Sequence, residues 1–304
     1  MRERSIRRFA SLPLGLPALL ALLALLLSPL PSVLHAQAGE APPAGGAVTF
    51  RWNPPLGVPL IETNRGSVRA QAARGKGVDS LIDTTARVTF RRGGVQQYEQ
   101  VGSLVSMKMV QDEQQVDLSR LIKILQGQEI VIKASADGRF LGSSGGANLL
   151  ERARQVLTAE AYQALRPHLD DKEMAANQRA DWLKRVEFFA GKTFTVGLPY
   201  TRTSEIELPG NRKIQVLDQF RIVGRERTAE CDCVRLEIVA TQGPGTPAGT
   251  TVTGRGTALV EPATAILWRE TIERTVRTKS QISEGFSAPV TLLAKEDYEL
   301  SHAH

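Results

Sequence analysis

Residues 144–194, SGGANLLERARQVLTAEAYQALRPHLDDKEMAANQRADWLKRVEFFAGKTF, form a helical block inside a strand-rich chain of 304 residues. Apolar side chains recur at helical spacing in residues 148–157, which predicts an amphipathic helix. Thr158 is suited to cap a second, short helix, and Pro167 is suited to end it. Amphipathic helices need an apolar partner for their buried faces. The block, about 144–191, is therefore predicted to be an insert that packs against the strands on either side.

A third helix is predicted over residues 173–190. Trp182 lies on its apolar stripe, whereas Arg185 falls with the charged residues that we assign to the solvated face. Gly191 stands where a left-handed C-terminal cap is expected. The sequence thus predicts a central block of two or three helices.

Strand-like sequence flanks the helical block on both sides. In residues 84–91, Val88 and Phe90 alternate with polar residues, as in a half-buried strand. The other predicted strands are residues 48–52, 67–73, 95–110, 128–134, 213–223, 231–240, 251–260, 264–278 and 286–293, with one further helix at 117–126. Because the helices form a block and do not alternate with strands, the sequence predicts an α+β fold with mostly antiparallel strand pairing.

Residues 1–38 have the order of a secretory signal peptide: a basic start, an apolar run over residues 12–27 and an Ala-x-Ala cleavage site that ends at Ala38. The alternative is an uncleaved anchor helix, which would be the only contact of the chain with a membrane. Arginine outnumbers lysine, and the sequence holds no Asn-x-Ser/Thr glycosylation site. These features predict an exported bacterial protein located in the periplasm.

The remaining chain is predicted to hold a short leader, one domain and a tail. Residues 39–47, GEAPPAGGA, have the composition of a flexible linker. Residues 48–300 are predicted to form a single α+β domain, and residues 301–304 a frayed terminus. The 38 basic and 32 acidic residues are interleaved and form no long run, so we predict no binding to nucleic acid.

Gly142–Gly146 matches the G-x-S-x-G pattern of serine hydrolases, with Ser144 as the nucleophile between a strand and a helix. No oxyanion-hole segment accompanies the pattern. Beyond the signal segment, the histidines stand only at His168, His302 and His304, where none is an obvious base. We therefore interpret Ser144 as a helix N-cap and keep a serine hydrolase as the third reading of the function.

Cys231 and Cys233 form a C-x-C pair, which in an exported protein is a candidate disulfide. In an extended strand the two positions lie about 6.6 Å apart, near the upper limit for a bridge, so a bend is required. Alternation places both cysteines on the face of Arg235 and Glu237, opposite Val234. We interpret the pair as a structural disulfide or as two unreactive thiols, with redox activity as the less favoured alternative.

Three charged residues share the phase of the apolar residues in their strands: Asp218, Glu270 and Arg274. They could fix the head group of a ligand inside an apolar cavity. They could also lie at a wet rim where the strands extend past the core. Buried charges are uncommon without partners, and this favours the rim.

Motifs for metals and cofactors are missing from the sequence. His302 and His304 could hold a metal ion weakly, but a frayed terminus is the simpler reading. There is no Walker motif, no H-E-x-x-H and no dinucleotide fingerprint, and Gly254-Arg255-Gly256 stands in a strand. We predict no metal, no cofactor and no enzymatic activity.

The order of the elements is similar to that of uncharacterised bacterial periplasmic proteins of lipoprotein-carrier (LolA/LppX-like) architecture. The similarity rests on VIKASADGRFLG at residues 131–142, the helical block, and FFAGKTFTV at residues 188–196, which leads into long strands. The resemblance implies a half-barrel, in which a curved antiparallel sheet wraps the helices and encloses a cavity for acyl chains. It has no diagnostic motif and assigns no functional residue.

The sequence thus predicts a non-enzymatic periplasmic protein that binds a lipid or another hydrophobic small molecule. The predicted ligand-binding residues are Val234, Leu236, Ile238, Ile266, Trp268 and Ile272 as the apolar lining, Trp182 in the lid, and Asp218, Glu270 and Arg274 as polar groups. The alternative is an envelope scaffold that binds other envelope proteins and whose apolar faces form a filled core.

Overall fold

The computed structural model describes residues 46–72, 77–166, 169, 171–208, 212–283 and 286–303. The predicted signal segment, residues 1–38, lies outside the described residues, as do His168 and His304. Ala47, the last residue of the predicted leader, already belongs to the first strand. Among the described residues, no helix has the length and apolar character needed to cross a membrane.

Fourteen strands run through the described part of the chain. They are β1 (Ala47–Thr49), β2 (Pro59–Ala72), β3 (Val78–Gly94), β4 (Gln97–Gln111), β5 (Gln114–Gln115), β6 (Glu129–Ser135), β7 (Phe140–Ser144), β8 (Thr193–Thr195), β9 (Tyr200–Leu208), β10 (Arg212–Arg227), β11 (Asp232–Gln242), β12 (Thr251–Val260), β13 (Leu267–Ser283) and β14 (Phe286–His302). Strands β1 and β8 pair with each other, and the other twelve form one sheet.

The large sheet joins two meanders. Its order is β7-β6-β4-β3-β2-β14-β13-β12-β11-β10-β9, with β5 beside β4, and all neighbours pair antiparallel. The strand predicted at residues 286–293 extends to His302 and lies in the middle of the sheet, between β2 and β13. The sheet is open, with β7 and β9 as its edges. A mostly antiparallel sheet with few helices confirms the predicted α+β class.

The helices are α1 (Ser119–Leu125), α2 (Gly146–Val156), α3 (Ala159–Leu165) and α4 (Asp171–Trp182), which continues as a π-helical turn, Leu183–Glu187. As predicted, the Thr158 hydroxyl caps α3 by accepting a hydrogen bond from the Ala161 backbone N–H at 3.3 Å. Gly191 follows the π-helical turn with a φ of +73°, in the left-handed region that glycine favours.

Apolar side chains of the described residues form three clusters. The central cluster brings the helical block against β10–β14 and includes Trp182, Phe189, Phe220 and Leu236. A second cluster packs all four helices against β3 and β4. The third cluster lies at the opposite end of strands β10–β14 from the central cluster. Its buried members are Ile214, Val216, Ala240, Val252, Val276 and Leu292. Only strands contribute to it, so the strands from β10 to β14 bury this cluster against one another.

Candidate ligand-binding cavity

A cavity of about 220 Å³ lies between the sheet and the helical block. Its floor is formed by consecutive strands, from β6 through β4, β3 and β2 to β14. Its roof comes from α4 and the π-helical turn, with contributions from α1, α2 and Trp52. Several apolar residues of the wall, among them Leu104, Ile130 and Ile132, are only half-buried.

The sheet register explains why space remains here. Leu300, Glu62, Ala86 and Leu104 are cross-strand neighbours in one row over β14, β2, β3 and β4. The floor is therefore lined at its centre by the short side chain of Ala86. Gly102 lies in the next row, and a Cβ atom added to it would meet only the Ile130 backbone oxygen, at 3.9 Å. Small residues in the middle of the floor leave volume that larger side chains would fill.

Aromatic side chains fix one wall of the cavity. The Trp182 indole N–H donates a hydrogen bond to the Gly138 backbone oxygen at 2.7 Å. Trp52 packs edge-on against Trp182, with ring centroids 5.5 Å apart, and edge-on against Phe90 at 5.9 Å. These edge-on ring contacts are favourable beyond the area they bury, so they stabilise this wall.

Polar side chains gather at one end of the cavity. Gln178, Asp181 and Arg185 follow one another on a single face of α4 and its π-helical turn. Arg185 Nη1 lies 3.3 Å from Glu62 Oε1, and the guanidinium stacks on the Tyr298 ring at 4.0 Å. Gln178 is only 5% exposed, and its Oε1 atom has no hydrogen-bond partner among the described residues.

Asp181 titrates unusually at this end of the cavity. Although part of its side chain stays accessible, burial raises the pKa of its carboxyl group to about 7, against the opposing effect of the Arg185 and Lys184 charges. Burial also raises the pKa of the Tyr298 phenol. The Asp181 carboxyl group is therefore only partly ionised near neutral pH.

The predicted polar site residues lie elsewhere, in a buried ion-pair network. Asp218, Glu270 and Arg274 are 0%, 6% and 3% exposed, so their placement at a wet rim is wrong. Arg274 Nη2 lies 3.0 Å from both Asp218 carboxylate oxygens, and Arg274 Nη1 lies 3.0 Å from Glu296 Oε1. Arg202 binds both Glu270 oxygens at 3.1 Å. Each of these charges has its partner within the network. None of the three predicted residues lines the cavity.

The network shows that this part of the sheet is curved. Arg202 is in β9 and Glu270 is in β13, four strand spacings or about 19 Å apart in a flat sheet. Side chains stand roughly perpendicular to a flat sheet and would not meet over that distance. The glycine at position 254 in β12 leaves space for the Arg274 side chain, because a Cβ atom there would lie 2.9 Å from Arg274 Cγ. Ala240 and Gly254 separate Asp218 from Arg274 in the register.

The network also ties the helical block to the sheet. Arg202 Nη1 donates a hydrogen bond to the Lys184 backbone oxygen in the π-helical turn at 3.0 Å. Burial by itself would raise the pKa of Glu296, but the Arg274, Lys184 and Arg202 charges together lower it to about 2. Glu296 is therefore ionised at any pH at which the protein is expected to work.

Most of the predicted apolar lining is packed interior. Trp182 and Ile266 do line the cavity. The others belong to the central cluster and not to the cavity wall, and these are Val234, Leu236, Ile238, Trp268 and Ile272. The sequence pattern did not mark Glu62, Gln178 and Asp181 as site residues, although Gln178 and Asp181 share a helical face with Trp182. Arg185, assigned to the solvated face, is half-buried.

Cys231 and Cys233 are joined by a disulfide bond. Both cysteines are buried in the central cluster, whereas Arg235 is half-buried and Glu237 is exposed. Strand β11 begins at Asp232, between the two cysteines, so only Cys233 takes part in its alternation.

Ser144 is the exposed last residue of β7. Gly145, with a φ of +118°, occupies the N-cap position of α2, so the predicted capping role of Ser144 is wrong. His302, placed in a frayed tail by the sequence, lies in β14 and packs against the Trp268 ring at 5.4 Å. In the described part of the chain, no group of three or more His, Cys, Asp or Glu residues could hold a metal ion.

No protein-family model and no curated protein matches the chain. A lipovitellin structure, described for its lipid–protein interactions, aligns over 82% of this chain at 8% identity with a TM-score of 0.42, and the chain spans only 26% of lipovitellin. A candidate exported protein with a YmcC-like fold from Bacteroides fragilis aligns over 82% of this chain and 98% of its own, at 12% identity with a TM-score of 0.27. TM-scores this low carry no argument about fold or function.

Proposed function

We propose that the protein binds one hydrophobic ligand in the cavity between α4 and the sheet and does not transform it. The cavity itself is the observation that carries the proposal: about 220 Å³, mostly apolar walls and a single polar end. An engineered apolar cavity of about 150 Å³ is large enough to bind benzene. Ligand sites generally combine apolar walls with a few polar groups. The size suits a ring or one short alkyl chain.

The wider proposal is a periplasmic carrier of half-barrel architecture. Its support is the signal-like segment at residues 1–38, the curvature of the sheet from β9 to β13, and a helical block that covers the concave face. In this proposal α4 and its π-helical turn act as the lid. Lipids and other hydrophobic small molecules are the proposed cargo.

The cavity can be tested with a neutral fluorescent probe, N-phenyl-1-naphthylamine, titrated into the purified protein. Ala86→Phe places a ring in the cavity floor and should weaken probe binding at least about tenfold, because the ring occupies the volume that the probe needs. Ala248→Phe is the matched control, since Ala248 is exposed in the loop between β11 and β12. Circular dichroism would verify that both variants fold. Equal probe affinity in the Ala86→Phe variant and the wild type would refute the proposed site.

A second candidate function is an envelope scaffold that binds other envelope proteins. The observation in its favour is the interior beneath β9–β13, where the charges are paired and the apolar side chains are closely packed. Native mass spectrometry of the protein purified from its own source separates the two candidates. A stoichiometric hydrophobic adduct supports the carrier. A bare protein that also fails to bind the probe supports the scaffold.

A further inference from the structure

The polar end of the cavity contains a hydrogen-bond acceptor that the protein leaves unused. Gln178 lines the cavity, is 5% exposed, and its Oε1 atom has no partner among the described residues. An unsatisfied buried polar group destabilises a fold, so such a group calls for an explanation. Trp52 also lines the cavity, and its indole N–H is buried and without a partner in the same set of residues.

The charges at this end disfavour an anionic ligand. Arg185 is the cation that lines the cavity, and it is engaged by Glu62, by Asn64 Oδ1 at 3.4 Å and by the Tyr298 ring. Glu62 and Asp181 add two carboxyl groups to the same wall. A ligand carboxylate would meet like charges and would have to compete for a guanidinium that is already bound.

We propose that this end of the cavity binds the hydroxyl head group of an apolar alcohol in preference to a carboxylate of the same chain length, with the Gln178 amide turning toward the cavity so that Oε1 accepts a hydrogen bond from the hydroxyl. The inference rests on the proposed ligand-binding function. A hydroxyl is uncharged and can donate, so it suits the unpaired Gln178 acceptor. The apolar chain would extend along the floor toward Leu104 and Ile130.

The test is competition between the neutral probe N-phenyl-1-naphthylamine and either octanol or octanoate at pH 8. Octanol should displace the probe from the wild type at a concentration about tenfold lower than octanoate, because only the alcohol gains the hydrogen bond and avoids the carboxylates. Gln178→Leu should weaken octanol binding about fivefold when octanol affinity is expressed relative to the probe affinity of the same variant, which is titrated first. Gln163→Leu, at an exposed glutamine of α3, is the matched control and should change nothing.

Gln178→Glu is the second variant, because it preserves both the shape of the side chain and the acceptor oxygen. It should retain octanol binding within about twofold and weaken octanoate further. If octanol and octanoate compete equally well, or if Gln178→Leu leaves octanol binding intact, the head-group inference is overturned while probe binding still supports the cavity. If the wild type binds no probe, the proposed function and this inference are overturned together.

Discussion

The two halves of the sheet bury their inward faces in different ways. From β9 to β13 the interior is filled by apolar side chains and by the ion pairs of Arg202 and Arg274. From β2 to β6 the sheet is covered by helices and keeps the cavity. Both halves are antiparallel and obey the same alternation of inward and outward side chains. The difference lies in what the inward positions carry.

Side-chain size in the middle strands decides which half is filled. In one half, long arginine side chains reach over Ala240 and Gly254 and meet carboxylates of distant strands. In the other half, Ala86 and Gly102 lie on the cavity floor and leave the space above them open. We infer that the filled half stabilises the fold and that the cavity half carries the function, and the following variants test that division.

The largest effect is expected from Asp218→Asn in the filled half. The substitution leaves the buried Arg274 and Arg202 guanidiniums short of one counter-charge, which should cost about 3–5 kcal/mol of unfolding free energy. Urea unfolding measures this cost. Asp83→Asn breaks an exposed ion pair with Arg65 and should cost less than about 1 kcal/mol. The Asp218→Asn variant should bind the neutral probe as the wild type does. Weaker probe binding at temperatures where this variant is folded would argue against two independent halves.

Leucine truncation compares the two halves directly. Leu236→Ala removes a fully buried side chain from the central cluster and should cost about 3 kcal/mol. Leu104→Ala removes a half-buried side chain that already borders the cavity, so it loses fewer contacts and should cost about 1 kcal/mol. Equal losses in urea unfolding would mean that the cavity wall is as tightly packed as the central cluster.

Alternation in the sequence predicted the filled half well. Ile214, Val216, Phe220 and Ile222 share a phase in β10, and all four are buried. Their periodicity is visible because apolar residues occupy each of these inward positions. The pairing of the network could not be predicted, because Arg202 and Glu270 are 68 residues apart and meet only once the sheet curves.

The cavity half shows why the rest was missed. Strand β2 begins at Pro59, but the sequence predicted a strand only from residue 67. Its inward positions include Glu62 and Asn64, which line the polar end of the cavity, so no apolar period marks the strand. Because these inward residues are polar, the sequence pattern revealed neither the start of the strand nor the polar end of the cavity.

Glu296→Gln tests the charge network through its pH dependence. The pKa of Glu296 is lowered from 4.5 to about 2, so its ionised form stabilises the fold above about pH 4.5, and this contribution is lost as the pH falls toward 2. The variant should be about 2 kcal/mol less stable than the wild type at pH 7, and the difference should shrink steadily below pH 4.5. Urea unfolding at several pH values measures it. Glu273→Gln, at an exposed residue, should show no such trend, and a constant deficit in the Glu296 variant would contradict the assigned pKa.

The smallest effect, and one of opposite sign, is expected from Asp181→Asn in the cavity half. Burial raises the pKa of Asp181 from 3.8 to about 7, so the wild type is stabilised by the protonated form at low pH and loses that contribution as the pH rises through 7. The neutral amide should therefore raise stability at pH 8 by about 1 kcal/mol, reduced by the partial accessibility of the carboxyl, or by roughly 2–4 °C in Tm. The two proteins should unfold alike near pH 4, and Asp232→Asn, at an exposed residue, should leave Tm unchanged at both pH values. Destabilisation at pH 8, comparable to that of Asp218→Asn, would mean that Asp181 is a structural ion-pair member, and the division between a filled half and a binding half would fail.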